Sequence, residues 1–306
     1  EAESSNNVPV KYYLPARGDR SGRQLLHFLK LDAYAHAHGG VVGGMCPNLS
    51  KEHKKYDMMM ANVNYAKDML EGLALDRMYK YECPTEQDIQ NGTAELMTDH
   101  FFNSGNNFAD DFTEEWHDDI RQRFQLLHAN NNDEDSNNKD SRRHTRQKKV
   151  AVHVRRGDIT PCAWHRRYMP NIYYFKALDD LVATQYCGGN ITENCDVTIY
   201  TEAGAAEPLE EFLNAGYNVN VGSSLGQVVL DFINADVLFA GASSFSYAPA
   251  ILSRGKVILG ERMEFPTFSN FHVLHVDSPI YQAALVQRKK LEQELCNKER
   301  RGRNLR

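Results

Sequence analysis

From residue 150 onward, apolar runs of strand length alternate with helix-spaced segments without a break, and that alternation limits the C-terminal half to one kind of architecture. Val150–Val154, Val197–Tyr200, Val219–Val221, Val237–Ala240 and Lys256–Leu259 read as strands. Between them, Asn171–Val182, Pro208–Asn214, Leu225–Ala235 and Ser243–Leu252 read as helices. Strands alternating with helices imply a parallel sheet covered on both faces. Ligands of such sheets bind at the carboxyl ends of the strands. A last charged helix near Tyr281–Arg301 is placed to cross back toward the first half.

The N-terminal half opens in the same way. Val8–Leu14 reads as a strand, Arg17–Gly22 as a glycine-containing turn, and Gln24–His38 as a helix carrying Leu25, Leu26, Leu29 and Ala33 on one face. Gly39-Gly40 ends that helix and Val41-Val42 starts a second strand, the beginning of a Rossmann-like half. Residues 51–85 and Trp116–His128 read as further helices. The run Ala129–Lys149 is almost wholly Asn, Asp, Ser, Arg and Lys, which cannot pack a core, and reads as a linker or insertion. Two domains follow, 1–149 with its polar linker 129–149, and 150–306.

Composition narrows the partners. A chain of 306 residues with 42% hydrophobic residues is long enough for two cores. A formal charge of −6 leaves no general basic face, so nucleic acid is excluded as a partner bound by phosphate neutralisation. Six cysteines without paired CxxC spacing point to disulfides instead of zinc, and Cys187 and Cys195 bracket a short turn that they could close. Sequons at Asn48, Asn91 and Asn190 point with them to the secretory-pathway lumen (Golgi or ER) or to secretion. No run of about 18 apolar residues occurs, so this segment spans no membrane, and a membrane anchor would belong to a longer form. The opening Glu1-Ala2-Glu3 reads as the remnant of a processed leader or vector.

Two segments carry chemistry. His153-Val154-Arg155-Arg156-Gly157-Asp158 follows a buried strand, and adjacent arginines at a strand end suit a diphosphate, whose oxygens match the guanidinium fork. Gly157 permits a sharp turn and Asp158 can hold one arginine. A salt-bridge cluster and an adhesive Arg-Gly-Asp tripeptide are the alternatives. The second segment, Ala235 to Ser246, is strand, small-residue loop and helix start; Ser243 or Ser244 there can cap a helix or donate to a phosphate.

These residues resemble a known family. H-x-R-R-G-D after a strand, and A-D-x-L-x-x-x-x-S-S-F from Ala235 to Phe245, resemble motifs of the GDP-fucose-dependent fucosyltransferases that make alpha-1,2, alpha-1,6 and protein O-linked fucose. Gly22-Arg23-Gln24-Leu25-Leu26-His27-Phe28-Leu29 resembles the G-N-Q-x-x-H-F-L that opens the protein O-fucosyltransferases. The resemblance implies an α/β fold of GT-B type: two Rossmann-like domains facing a cleft, an acceptor-side domain in 1–149 and a nucleotide-sugar-binding domain in 150–306. It implies Arg155 on the donor's beta-phosphate, Arg156 as the second arginine of the alpha-1,6 enzymes, and His153 by the nucleoside. Ser243, Ser244 and Phe245 would close around phosphate and base, and Gly22 and Arg23 would lie where donor and acceptor meet. It also implies inverting transfer of fucose to a hydroxyl of a glycan or glycoprotein, without cofactor or metal. The only literal D-x-D, Asp133-Glu134-Asp135, lies in the polar run, and Asp118-Asp119 lies in a helical stretch with the wrong spacing.

The chain also departs from the family. Arg23 replaces the Asn of G-N-Q, and Ala163 stands where the alpha-1,6 enzymes carry a Glu. The catalytic base is left among Asp19, Asp158 and Glu202. Asp231 is the nearest match to an acidic residue that contacts guanine in relatives, offset by about a helical turn. Two rivals stay open: the same fold with another sugar nucleotide, and a non-catalytic glycan-binding or scaffold protein.

Overall fold

The computed structural model describes residues 8–16, 21–47, 53–97, 110–129, 147–204, 206–260 and 266–296. The chain divides into two compact units, Glu1–Asn137 and Asn138–Arg306. Each is an α/β unit built on a parallel sheet, which is the composition of a GT-B chain. The polar run falls largely outside the described residues, as do Asp133-Glu134-Asp135, Asp19, Asn48 and the N-terminal remnant.

In the first unit, β1 (Lys11–Ala16) lies between β2 (Val41–Pro47) and β3 (Ala94–Leu96), all parallel. Helix α1 (Ser21–Ala37) connects β1 to β2, and α2 (His53–Gly72) packs against it. The stretch expected as one helix over 51–85 ends at Gly72. Ala74 there takes a left-handed backbone, φ 53°, before a 3-10 turn at Leu75–Arg77. Short α3 (Glu86–Gln90) and β3 were not expected, being too brief to show a period. Buried Asp32 of α1 joins α4 (Glu114–Ala129), accepting hydrogen bonds from Trp116 Nε1 at 2.8 Å and Arg123 Nη1 at 3.0 Å.

Among the described residues the second unit holds six parallel strands in the order β6-β5-β4-β7-β8-β9: β4 (Lys148–Val154), β5 (Cys195–Thr201), β6 (Asn218–Val221), β7 (Val237–Ala240), β8 (Lys256–Gly260) and β9 (Phe271–Leu274). This is the doubly wound order, in which the chain winds outward from β4 in one direction and from β7 in the other. Val150, Val152 and Val154 are buried because helices cover both faces of β4. The crossovers are α5 (Asn171–Ala177, continued as a π-helical stretch Leu178–Ala183), α6 (Ile191–Asn194), α7 (Glu210–Asn214), α8 (Leu225–Ile233) and α9 (Ser244–Leu252). Serines start two of them by accepting from main-chain N–H groups, Ser224 from Gln227 and Ser243 from Phe245.

The helix expected over Tyr281–Arg301 is described as far as Cys296. α10 (Pro279–Leu291) returns to its own unit: Tyr281 and Ala284 share the hydrophobic core with Val150, Val152 and Tyr173. Cys296, just beyond it, is bonded to Cys162 in the loop after β4. Cys187–Cys195 closes the short turn expected of it, and Cys46–Cys83 ties the first unit. Three disulfides fit an oxidising compartment. Among the described residues no helix is long and apolar enough to cross a membrane.

Candidate functional site

The doubly wound order makes the two chemical segments neighbours. β4 and β7 pair directly, Val152 opposite Phe239, so the loops leaving their carboxyl ends start side by side and then diverge to opposite faces. The crevice between diverging loops is where such sheets bind ligands. Contact there is close: a Cβ on Gly241 would lie 2.5 Å from the His153 carbonyl oxygen. The ring of Phe245, in the first turn of α9, meets the His153 imidazole edge-on at 5.6 Å.

A cavity of about 290 Å³ opens at the ends of β4, β5 and β6. His153, Tyr200, Thr201, Glu202, Asn220, Leu225, Val228 and Phe245 are among its walls. Its walls combine aromatic and aliphatic side chains with hydroxyl, amide and carboxylate groups, the composition expected of a small-molecule site. His153 is buried, and burial, with the charges of Arg155 and Arg156 adding to it, holds its pKa down to about 3. The imidazole is therefore neutral, and its buried Nδ1 has no hydrogen-bond partner.

The arginine pair splits. Arg155 stays at the strand end, where it donates to the carboxylates of Glu202 and Asp158. Glu202 also accepts from the backbone N–H of Arg156 at 3.1 Å. Gly157 makes the turn with φ 68°, a conformation that glycine adopts without strain. Arg156 instead turns into the core and is fully buried. It donates to the carbonyls of Arg155 and Met169 and to Asn171 Oδ1 at 2.7 Å, lies 3.7 Å from Glu207, and stacks over Tyr168. This corrects the expectation that both arginines grip an anion: every mapped contact of the Arg156 side chain is structural.

The remaining residues sort by geometry. Ser243 is buried and its hydroxyl accepts from Phe245 N at 3.2 Å, so it caps α9, while Ser244 is partly exposed at the first helical position. Asp231 is not in the cavity wall. It accepts from Tyr200 at 3.0 Å and Gln227 at 2.8 Å, and so positions Tyr200, which is in the wall. Gly22, buried, and Arg23, exposed, begin α1 in the other unit. Asp118 and Asp119 lie on α4. Among the described residues no three His, Cys, Asp or Glu side chains gather as metal ligands.

Glu207 and Tyr168, which complete the cage around Arg156, carried no signal in sequence. Nor did the pairing of Arg155 with Glu202, which the strand register decides. β4 and β5 run in register with Val154 opposite Thr201, so the residue after each strand falls beside the other.

The fold and the site together define a doubly wound α/β unit with an arginine–carboxylate cluster at a strand end beside a cavity. The chain matches no protein family and no curated protein in sequence. It is similar to two solved glycosyltransferase structures. One is the E. coli heptosyltransferase WaaC with ADP, at 10% identity over 92% of this chain and 100% of that one, with a TM-score of 0.43. The other is the glycotransferase of kitacinnamycin, at 12% identity over 94% of each chain, with a TM-score of 0.30. Likenesses this distant assign no residue of the site.

Proposed function

We propose that this protein is an inverting glycosyltransferase of the secretory pathway that moves fucose from GDP-fucose to a hydroxyl of a glycan or glycoprotein. The observation that carries the reading is the cavity at the ends of β4, β5 and β6, with Arg155 held at its edge through Glu202. In this reading the nucleoside occupies the cavity beside neutral His153, Tyr200 and Phe245. Arg155 faces the diphosphate and stabilises the charge that develops as it departs, which is where preorganised electrostatics contribute most. Asp158 holds the guanidinium in place, and Ser244 with the first N–H groups of α9 supplies further donors for a phosphate oxygen. No metal is needed where these groups carry the charge. A base takes the acceptor proton as the hydroxyl attacks the anomeric carbon from the face opposite the diphosphate.

The motif resemblance points to GDP-fucose as the donor within this reading, and no residue of the cavity wall is assigned to guanine selection. Thermal shift with GDP, ADP and UDP tests the donor, since a ligand that binds only the folded state raises the melting temperature with its concentration over Kd. A screen of acceptors with labelled GDP-fucose tests the reaction. Stabilisation by ADP or UDP but not GDP would move the donor to another sugar nucleotide. GDP binding without turnover on any acceptor would favour a non-catalytic glycan-binding or scaffold protein, a reading supported by the two carboxylates that already engage Arg155.

A further inference from the structure

The carboxylate of Glu202 occupies the position that the surrounding donors would offer to an anion. One of its oxygens accepts from Arg155 Nη1, the other from the backbone N–H of Arg156 at 3.1 Å. The turn at Gly157 brings the main chain close, since a Cβ there would lie 3.4 Å from Glu202 Oε2. A guanidinium and a main-chain N–H converging at a tight turn are the donor set with which proteins hold phosphate oxygens. Here the set closes on a side chain of the same molecule.

We propose that Glu202 is an internal placeholder for the donor's phosphate, filling the anion site of the empty protein and leaving it when a nucleoside diphosphate binds. The inference rests on the nucleotide-sugar reading of the same site. Three features support it. Glu202 is in the cavity wall and its side chain is 43% exposed, so it has solvent to swing into. Arg155 is only 11% exposed and is held by Asp158 as well, so its guanidinium keeps an anchor when Glu202 departs. Finally, Glu202 takes both Arg155 Nη1 and the Arg156 N–H, so a phosphate oxygen gains those two donors only as Glu202 leaves, like charges at contact distance disfavouring each other. Binding is then an exchange of one charge-assisted pair for another, and the apparent affinity is lowered by the fraction of molecules in which the site is open. A doubly charged diphosphate anchored by its nucleoside overcomes that competition, whereas inorganic phosphate, with no nucleoside to occupy the cavity, does so poorly.

Calorimetric titration of GDP and of inorganic phosphate into the wild type, Glu202→Gln and Glu202→Asp tests the proposal. Gln keeps the shape and an acceptor for the Arg156 N–H but removes the charge. GDP should bind Glu202→Gln about tenfold or more tightly than the wild type, with a larger proportional gain for inorganic phosphate. Asp keeps the charge but is one methylene shorter, and should fall between the two; it remains the test if the Gln variant does not fold. GDP binding to the wild type with equal or weaker binding to the folded variants would overturn the placeholder and make Glu202 a strut that orients Arg155. Absence of GDP binding in the wild type and in both variants would count against the nucleotide reading and the placeholder together.

Discussion

The guanidinium of Arg156 lies 4.6 Å from the ring centroid of Tyr168, stacked inside the core of the second unit. Its neighbour Arg155 meets two partly exposed carboxylates at the strand end. Adjacent arginines therefore have separable roles. Arg156→Ala should destabilise the protein by about 3–5 kcal/mol, because it leaves Glu207 buried without its positive partner. Arg155→Ala should leave a folded protein that has lost about a hundredfold or more in transfer. Arg155→Lys should restore little, since an ammonium cannot reproduce the planar fork. Thermal melts beside initial rates separate the two residues, and an Arg155→Ala variant that fails to fold would assign that residue to structure.

The two serines at the start of α9 should separate in the same way. Ser243→Ala removes the cap that accepts from Phe245 N and should cost about 1 kcal/mol of stability. Ser244→Ala should weaken GDP binding with a smaller change in melting temperature. GDP affinity unchanged by Ser244→Ala would remove that hydroxyl from the donor site.

Gly241→Ala tests the junction of the two segments. The new Cβ would lie 2.5 Å from the His153 carbonyl, which β4 cannot retract, so one of the paired strand ends must shift. A loss of about 1–3 kcal/mol is expected from the overpacking. A variant as stable as the wild type in urea titration would contradict this packing.

His153 should make stability depend on pH. The folded protein holds the imidazole neutral down to about pH 3, while in the unfolded chain it titrates near its ordinary 6.5. Below 6.5 the unfolded state thus binds the extra proton, and this contribution to stability is lost as pH falls from about 6.5 toward 3. Urea unfolding at pH 7 and pH 5 should show a larger drop for the wild type than for His153→Gln. Equal drops would mean that the imidazole is not held neutral.

Transfer should persist in the presence of a chelator and should not rise on adding Mn²⁺, because Arg155 and the start of α9 carry the charge in the proposed reaction. Activity abolished by EDTA and restored by Mn²⁺ would assign that role to a metal.

Sequence by itself determined most of the order of elements in the second unit, where strands and helices carry a readable period, but it missed two four-residue elements, α6 (Ile191–Asn194) and β9 (Phe271–Leu274). It also narrowed the cap of α9 to Ser243 or Ser244, of which the structure selects Ser243, and located the Cys187–Cys195 turn, since both depend on contacts close along the chain. It did not determine spatial order. That β4 lies between β5 and β7, and so sets His153 against Gly241, follows from burying both faces of the sheet with right-handed crossovers. Nor could it tell Arg155 from Arg156. Successive side chains at a strand end point to opposite sides, and which side is core depends on Tyr168, Asn171 and Glu207, supplied by elements later in the chain. A buried guanidinium is tolerated only where such partners are at hand, so only tertiary structure decided which arginine serves the core and which meets carboxylates at the strand end.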